Sequence, residues 1–479
     1  MVIDMALKPW PIVMDELYGD VPDGLFPAKD ANYELVLAPF PGLKSLCSFP
    51  NCSEIREGWS WGDYMYWLAR RGSDSVLFRV DSNGAFAEIG SFSSSYTGPA
   101  WMKNNETQLC IVDGITGYVF TPSLNQMVQI TDLDFPGASS MDYQDGYGLF
   151  SKPNTNIWFH SSIGDFLSFD ALDFYSKEAK TDAIRSIRSF QREPYIFGEE
   201  KGIELWYNAG GDNSSAQNPT FARNSGGLIE LGSAAPKGDS DMAGTAVTWL
   251  TNQGQLAQAA GTNVKIVSNQ MFDREVGGDG TLRNPGYATL SDAIAFSYRD
   301  QGHIFHQVTF PTEDVTWVFD GTTGLLLKRS SYRTTGDYGR HRANCYVLHK
   351  GKHYVGDFEN GTIYEMDANY YDDDGHTIRR QLYSKEIVGG KSRISFPNIQ
   401  IMVESGMGLP SGDTPQIGLE FSADGGNTWS NMVNRSVGLV GEYTRQANFN
   451  QMGSGYRRMY RLTMTAAILW RVIGIDLGF

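Results

Sequence analysis

Short runs of alternating apolar and polar residues, each cut off by Gly, Asn or Asp, repeat along the chain from about residue 60 to about residue 370. A period of two puts one face of each run in a core and predicts β-strands, and the intervening turn residues predict hairpins. The units read YMYWLARRGSDSVLFRV, LCIVDGITGYVF, GLFSKPNTNIWFH, YIFGEEKGIELWY, WLTNQGQLAQAAGTNVKIV, IFHQVTFPTEDVTWVFD and YVLHKGKHYVGDFENGTIYEMD. Anchored on the second strand of each unit, at Leu77, Tyr118, Ile157, Leu205, Val264, Trp317 and Ile363, they recur at steps of 39 to 59 residues. Four-stranded propeller blades repeat about every 40–50 residues, and a ring of twisted sheets buries faces that a single sheet leaves wet. The pattern predicts an all-β chain with a six- or seven-bladed β-propeller over residues 56–370. An irregular stack of hairpins in β-sandwiches is the alternative.

The flanks differ in texture. Residues 1–55 are proline-rich and weakly patterned, as expected of an extended N-terminal arm. Residues 208–245, rich in Gly, Asn and Ser around a short apolar core, read as a loop inserted into the repeats. Over residues 371–479 a new alternation, through Ile394 to Val403, Ile417 to Ser422 and the stretch from Tyr460, predicts a C-terminal antiparallel β-sandwich or barrel. The arm is expected to pack on this platform.

Composition narrows the function. Hydrophobic residues at 41% and 53 glycines in 479 residues describe a globular, turn-rich chain. With 55 acidic against 39 basic residues the net charge is -16, so most of the surface repels a phosphate backbone. Cys47, Cys52, Cys110 and Cys345 form no C-x-x-C pair, and free thiols in a reducing compartment are expected. The opening MVIDMALKPW lacks the pattern of a signal peptide, and no apolar run reaches the roughly 18 residues of a membrane span. The expectation is a soluble protein without membrane insertion.

Few motifs suggest chemistry. SADGGNTW, residues 422–429, has the Ser-x-Asp-x-Gly-x-x-Trp form of the Asp-box found in sialidases. The set Ser422, Asp424, Gly426 and Trp429 also reads as a hairpin staple: Asp424 accepts turn amides, Gly425 and Gly426 supply positive φ, and Trp429 plugs the hairpin into a core. A single copy outside the repeats favours the staple. Gly390-Lys391-Ser392 lacks the first glycine of a phosphate loop, and Asp372 to Gly375 fails the spacing of a calcium loop. His303 with His306, and His349 with His353, lack a third ligand and read as exposed hairpin residues, so no metal is expected. Glu199, Glu200, Asp320 and Asp357 are carboxylates that a glycosidase could use, but among so many acids they read as solvated turn residues. No catalytic residue and no cofactor are predicted. Arg457, Arg458, Arg461 and Arg471 fall in a stretch with no acidic residue between Glu442 and Asp476 and predict a basic face, either solvated or docked on an acidic partner or neighbouring subunit.

Several stretches, taken in order, resemble the packaged-DNA stabilisation proteins, also described as tail hub or nozzle proteins, of short-tailed bacteriophages. They are LVLAPFPGL from Leu35, GIELWYNAG from Gly202, GLIELGSAAP from Gly227, and DGGNTW followed by Gly441-Glu-Tyr and the arginine-rich stretch. The resemblance implies a virion structural protein of the tail without enzymatic turnover. It implies a homo-oligomeric ring, expected to have six subunits, below the portal and adaptor (head-to-tail connector), with a tail fibre or needle-like plug beyond it. Such a ring extends the DNA channel and helps retain the genome until ejection. An acidic wall suits transient passage of viral DNA without specific binding, and the 208–245 loop is then a candidate for a tip or lumen element. The alternative from another class is a propeller glycosidase or glycan-binding tail protein acting on host polysaccharide.

Overall fold

A computed structural model describes residues 8–9, 23–29 and 35–477, apart from residues 216, 243, 282–284, 405, 407, 408, 410–413 and 444. Most of the arm before residue 23 therefore lies outside the described residues. Strands make up 52% of the chain and helix 2%, so the fold is all-β. Seven four-stranded sheets follow one another along the chain, over residues 54–93, 101–129, 140–176, 184–229, 239–266, 294–328 and 343–367. The seventh takes its fourth strand, Gly42–Ser48, from near the N-terminus. Of the two expected blade numbers, the sheets give seven.

The chain divides into two compact units, one of Ser45–Asp314 with Arg342–Glu365, the other of Met1–Lys44, Val315–His341 and Met366–Phe479. These bounds differ from the sequence boundaries at 55 and 370 because strand pairing joins segments some 300 residues apart. Phe49 N donates to Gly361 O at 2.8 Å and Thr362 Oγ1 to Ser48 Oγ at 3.1 Å.

In the first of these units the leading strands of the sheets stand next to one another in a closed ring. They are Glu54–Trp61, Trp101–Asn104, Ser140–Gln144, Ile184–Phe190, Asp239–Asp241, Ile294–Asp300 and Ala343–His349. Apolar clusters fill the wedges between sheets, as when Trp67 and Phe78 pack against Val347 and Tyr354, or Phe197 against Trp249. Close approach is enforced where the wedge is narrowest: a Cβ on Gly58 would lie 2.4 Å from the indole of Trp67. Any larger residue there forces the inner strand off its neighbour.

Six of the seven sequence anchors fall in the third strand of successive sheets, and Val264 falls in a fourth strand, Asn263–Ile266. The extra length after it holds the one helix among the described residues, Gln270–Val276, whose N-cap Asn269 accepts from Phe272 N at 2.9 Å. The 208–245 segment is not a free insertion. It contains the outer strand Phe221–Ile229 of the fourth sheet and the inner strand Asp239–Asp241 of the fifth. The outer strand, FARNSGGLI, is an edge strand, so polar residues and glycines replace the alternation that would have marked it. Only a hairpin tip over residues 209–220 remains, and it is tied down. Asn213 donates to Asp173 Oδ1 at 2.6 Å and exchanges hydrogen bonds with the Tyr175 hydroxyl.

The other unit contains a two-sheet sandwich. One sheet runs Leu25–Lys29, Leu35–Pro39, Val472–Leu477, Asn398–Val403, Ala447–Asn450; the second runs Arg380–Tyr383, Arg457–Met464, Gln416–Ser422, Val433–Ser436. Leu25 and Leu37 from the N-terminal hairpin share a core with Ile399, Phe449, Leu462 and Trp470. Asp23, also buried, holds this entry point by accepting from Ser330 Oγ at 2.6 Å and Arg379 Nη2 at 2.9 Å.

Candidate functional site

The leading strands bring six charged side chains into the hub of the ring, where a propeller ordinarily keeps its binding site. Glu57 comes from the first sheet, Lys103 from the second, Asp142 from the third and Arg188 from the fourth. Asp239 comes from the fifth, and Lys237 from the turn before it. Lys103 Nζ sits 2.9 Å from Asp142 Oδ1 and 4.5 Å from the centre of the Trp59 ring. Arg188 pairs with Asp239, whose other oxygen accepts from Ser186 Oγ at 2.9 Å. Lys237 crosses from the fifth sheet to Glu57 of the first, and its ammonium also lies 4.9 Å from the Trp101 ring centre.

Three cations thus face three carboxylates. Burial pushes the Asp142 carboxyl up, but the neighbouring Lys103 and Arg188 outweigh it and hold it below the usual carboxylate range. Arg188 is raised against its own burial by Asp239 and Asp142. Beside them Ser240 Oγ lies 2.8 Å from His306 Nδ1 and 2.6 Å from Ser297 Oγ. Burial, with Arg188 nearby, pushes His306 down to about 3, so the ring is neutral at physiological pH. Charges matched pair by pair leave no excess in the hub to attract an anion such as phosphate. An alignment of the repeats on their third strands hides this cluster, because its members lie on the leading strands of five sheets and in the turn before one of them.

The sequence-predicted residues lie in the C-terminal sandwich. Ser422 Oγ accepts from Gly426 N at 2.8 Å and donates to Asp424 Oδ1 at 2.7 Å, and Asp424 accepts from Thr428 N and Thr428 Oγ1 at 2.9 and 2.6 Å. Hydrogen bonds from Ser422 and Thr428 hold the Asp424 carboxyl far below its ordinary value. Gly425 and Gly426 take φ of 79° and 93°. Trp429 differs from expectation. It is half-buried outside the core, edge-on to Tyr383 and 4.4 Å below the Arg461 guanidinium.

Three of the four arginines face carboxylates brought from earlier in the chain: Arg457 pairs with Glu386, Arg461 with Glu420 through two 2.8 Å bonds, and Arg471 with Glu404 at 3.2 Å. Arg458 points inward, 4.0 Å from the Phe421 ring centre, and donates to Met452 O at 3.0 Å. The histidines are not the exposed residues expected. His303, His306 and His349 are buried, His349 Nδ1 lying 2.8 Å from Ser60 Oγ, and His353 Nδ1 lies 2.8 Å from the Tyr346 hydroxyl. Among the described residues no cluster of three metal-ligating side chains forms. Asp373 is buried against Ser331, and Ser392 N closes a turn on Gly389 O. Glu199 pairs with Arg185, Glu200 is exposed, Asp320 caps the turn at Thr322, and Asp357 holds Arg342 and the Tyr364 hydroxyl. The four cysteines are free. Among the described residues no helix is long and apolar enough to cross a membrane.

Solved structures similar to the chain include three that are seven to ten per cent identical to it. The extracellular domain from a hybrid two-component system of B. thetaiotaomicron matches 78% of this chain at 10% identity and a TM-score of 0.46, and the chain spans 44% of that one. A catalytically inactive virginiamycin B lyase from Staphylococcus aureus matches 68% of this chain and 98% of its own, at 8% identity and a TM-score of 0.46. The WD40 domain of Neurospora crassa Pan2 matches 68% of this chain and 95% of its own, at 7% identity and a TM-score of 0.43. No curated protein matches the sequence. A family model described as the bacteriophage P22 Gp10 β-propeller matches residues 36–371, a span that takes in all seven sheets.

Proposed function

Because this chain belongs to the phage-stabilising family of the bacteriophage P22 Gp10 β-propeller, a family of phage structural proteins, we propose that it is a non-enzymatic component of the virion tail. In this reading copies of the chain assemble as a homo-oligomeric ring of six. That ring forms the tail hub or nozzle below the adaptor, carries the DNA channel onward, and helps retain the packaged genome. A tail fibre or plug protein closes the far end. The family match over residues 36–371 carries the reading.

Two physical features support it. A net charge of -16 lets DNA pass without the Lys and Arg contacts whose counterion release would hold it. The hub of each propeller is crossed by matched ion pairs, so DNA runs beside propellers and not through one. Retention is then steric. The anchored 209–220 tip is one candidate for a narrowing element, and deleting it tests that role separately.

The test is assembly and retention. Negative-stain images of the purified protein, and of particles produced with and without it, should show a six-fold ring at the tail and nuclease-sensitive DNA when it is missing. A monomer that leaves particles full and nuclease-resistant in its absence overturns the proposal, as does depolymerisation of host polysaccharide by the protein.

A further inference from the structure

Two loops of the C-terminal sandwich are braided at one corner. Ile387–Val388 pairs with Arg457 and Arg458, Ile394–Ser395 pairs with Ser454–Gly455, and between them Gly389 N donates to Tyr456 O at 2.7 Å. Arg458 holds the corner from inside: its guanidinium lies 4.9 and 4.0 Å from the ring centres of Phe396 and Phe421, and Nη1 donates to Met452 O at 3.0 Å. The turn over residues 389–393 closes through Ser392 N on Gly389 O, with Gly390 at a φ of 62°.

Charge at this corner does not cancel. Residues 385–394 and 451–458 carry Lys385, Lys391, Arg393, Arg457 and Arg458 against Glu386 alone. Glu386 is taken by Arg457, which also lies near Asp424. Lys385, Lys391 and Arg393 have no ion-pair partner among the described residues. Arg393 donates to Ser454 O at 3.2 Å and lies 5.9 Å from the Tyr456 ring centre. Beside these cations Val388 and Tyr456 expose 63% and 56% of their surface. A merely solvated turn has no need of exposed apolar side chains, whereas tyrosine next to arginine is what carries energy at protein interfaces.

We propose that this corner is a docking surface for a short acidic segment of another protein. Carboxylates of the segment pair with Lys391 and Arg393, and one of its apolar side chains rests on Val388 and Tyr456. Charge complementarity selects the occupant. Three unpaired cations would release too few counterions to hold a nucleic acid, whose every phosphate is repelled by a chain of net charge -16. A segment with a few carboxylates meets little of that repulsion and uses the apolar pair as well. Such docking does not require the chain to sit in a tail ring.

The full-length protein is titrated with a short fluorescent peptide of alternating Glu and Tyr, with its Gln–Tyr counterpart, and with an oligothymidylate of the same charge. The Glu–Tyr peptide binds saturably and more weakly as salt is raised. Lys391→Glu with Arg393→Glu weakens binding about tenfold. Val388→Ser, which keeps every cation, weakens it as well, and both variants melt like the parent chain. Lys265→Glu, a like change of charge on the exposed strand Asn263–Ile266, leaves binding as it was. Equal binding of the Gln–Tyr peptide or the oligothymidylate, unchanged binding by the double variant, or equal weakening by Lys265→Glu overturns the proposal. Self-association abolished by the same double variant would make the occupant a second copy and overturn it too.

Discussion

Arg461 donates from Nε and Nη2, one edge of its guanidinium, to the two oxygens of Glu420 at 2.8 Å each, while its Cζ lies 4.4 Å from the ring centre of Trp429. The pair is mostly shielded, with side-chain exposures of 23% and 11%. Removing the cation strands a desolvated carboxylate. Arg461→Ala is expected to lower stability by about 2–3 kcal/mol in urea unfolding. Arg461→Lys is expected to recover less than half of that, because an ammonium makes neither the fork nor the stack.

Lys237 and Glu57 tie the fifth sheet to the first across the hub. Either Glu57→Gln or Lys237→Met alone should cost about 3 kcal/mol. The double variant should cost less than the two singles added, with a coupling of about 1–3 kcal/mol. Additive losses in the unfolding cycle would mean that the two side chains do not share one interaction.

Acid should loosen the ring in two stages. His306 is held neutral in the fold, down to about 3, whereas the unfolded chain takes up a proton near 6.5. Its contribution is therefore complete above about pH 6.5 and is lost as pH falls toward 3, at up to about 1.4 kcal/mol per pH unit. His160 and His349 are shifted down as well, chiefly by burial, and act with the same sign. Asp142, also lowered, adds its loss only below about pH 4, the unfolded carboxyl value. Urea midpoints taken from pH 7 to pH 4 should fall steadily, and His306→Gln should flatten part of that slope without removing the steeper loss below it.

Asn213 clamps the 209–220 tip to the third sheet through Asp173 and Tyr175. Asn213→Ala should open that tip to proteases while the sheets stay intact. Limited proteolysis with mass mapping of the fragments checks this, and an unchanged cleavage pattern would show that other contacts hold the tip.

Asp424 organises its turn at an exposed position, so Asp424→Ala should act locally. Amide exchange at Thr428 should accelerate, since its N–H loses the carboxylate it bonds, while the melting transition of the chain hardly moves.

The third strands at Leu77, Tyr118, Ile157, Leu205, Trp317 and Ile363 were legible because each carries its own alternation and its own turn, which are local properties. The edge strand Phe221–Ile229 was not, because an edge need not be apolar on a regular face. Nor were the carboxylates facing the C-terminal arginines. Glu386, Glu420 and Glu404 lie 71, 41 and 67 positions from Arg457, Arg461 and Arg471, and no spacing rule connects residues that meet only through sheet pairing. The hub cluster was hidden for the same reason: its partners come from five different sheets.

The strand Gly42–Ser48 leaves the ribosome early, yet its neighbour in the seventh sheet is Thr362–Asp367. At roughly 5–20 residues per second, translation of the intervening chain takes on the order of tens of seconds. Throughout that interval a strand with free backbone edges waits on the nascent chain for a partner not yet made. Ring closure is thus a late event in biosynthesis, and a chain truncated before residue 362 is left with a gap where its last sheet should be.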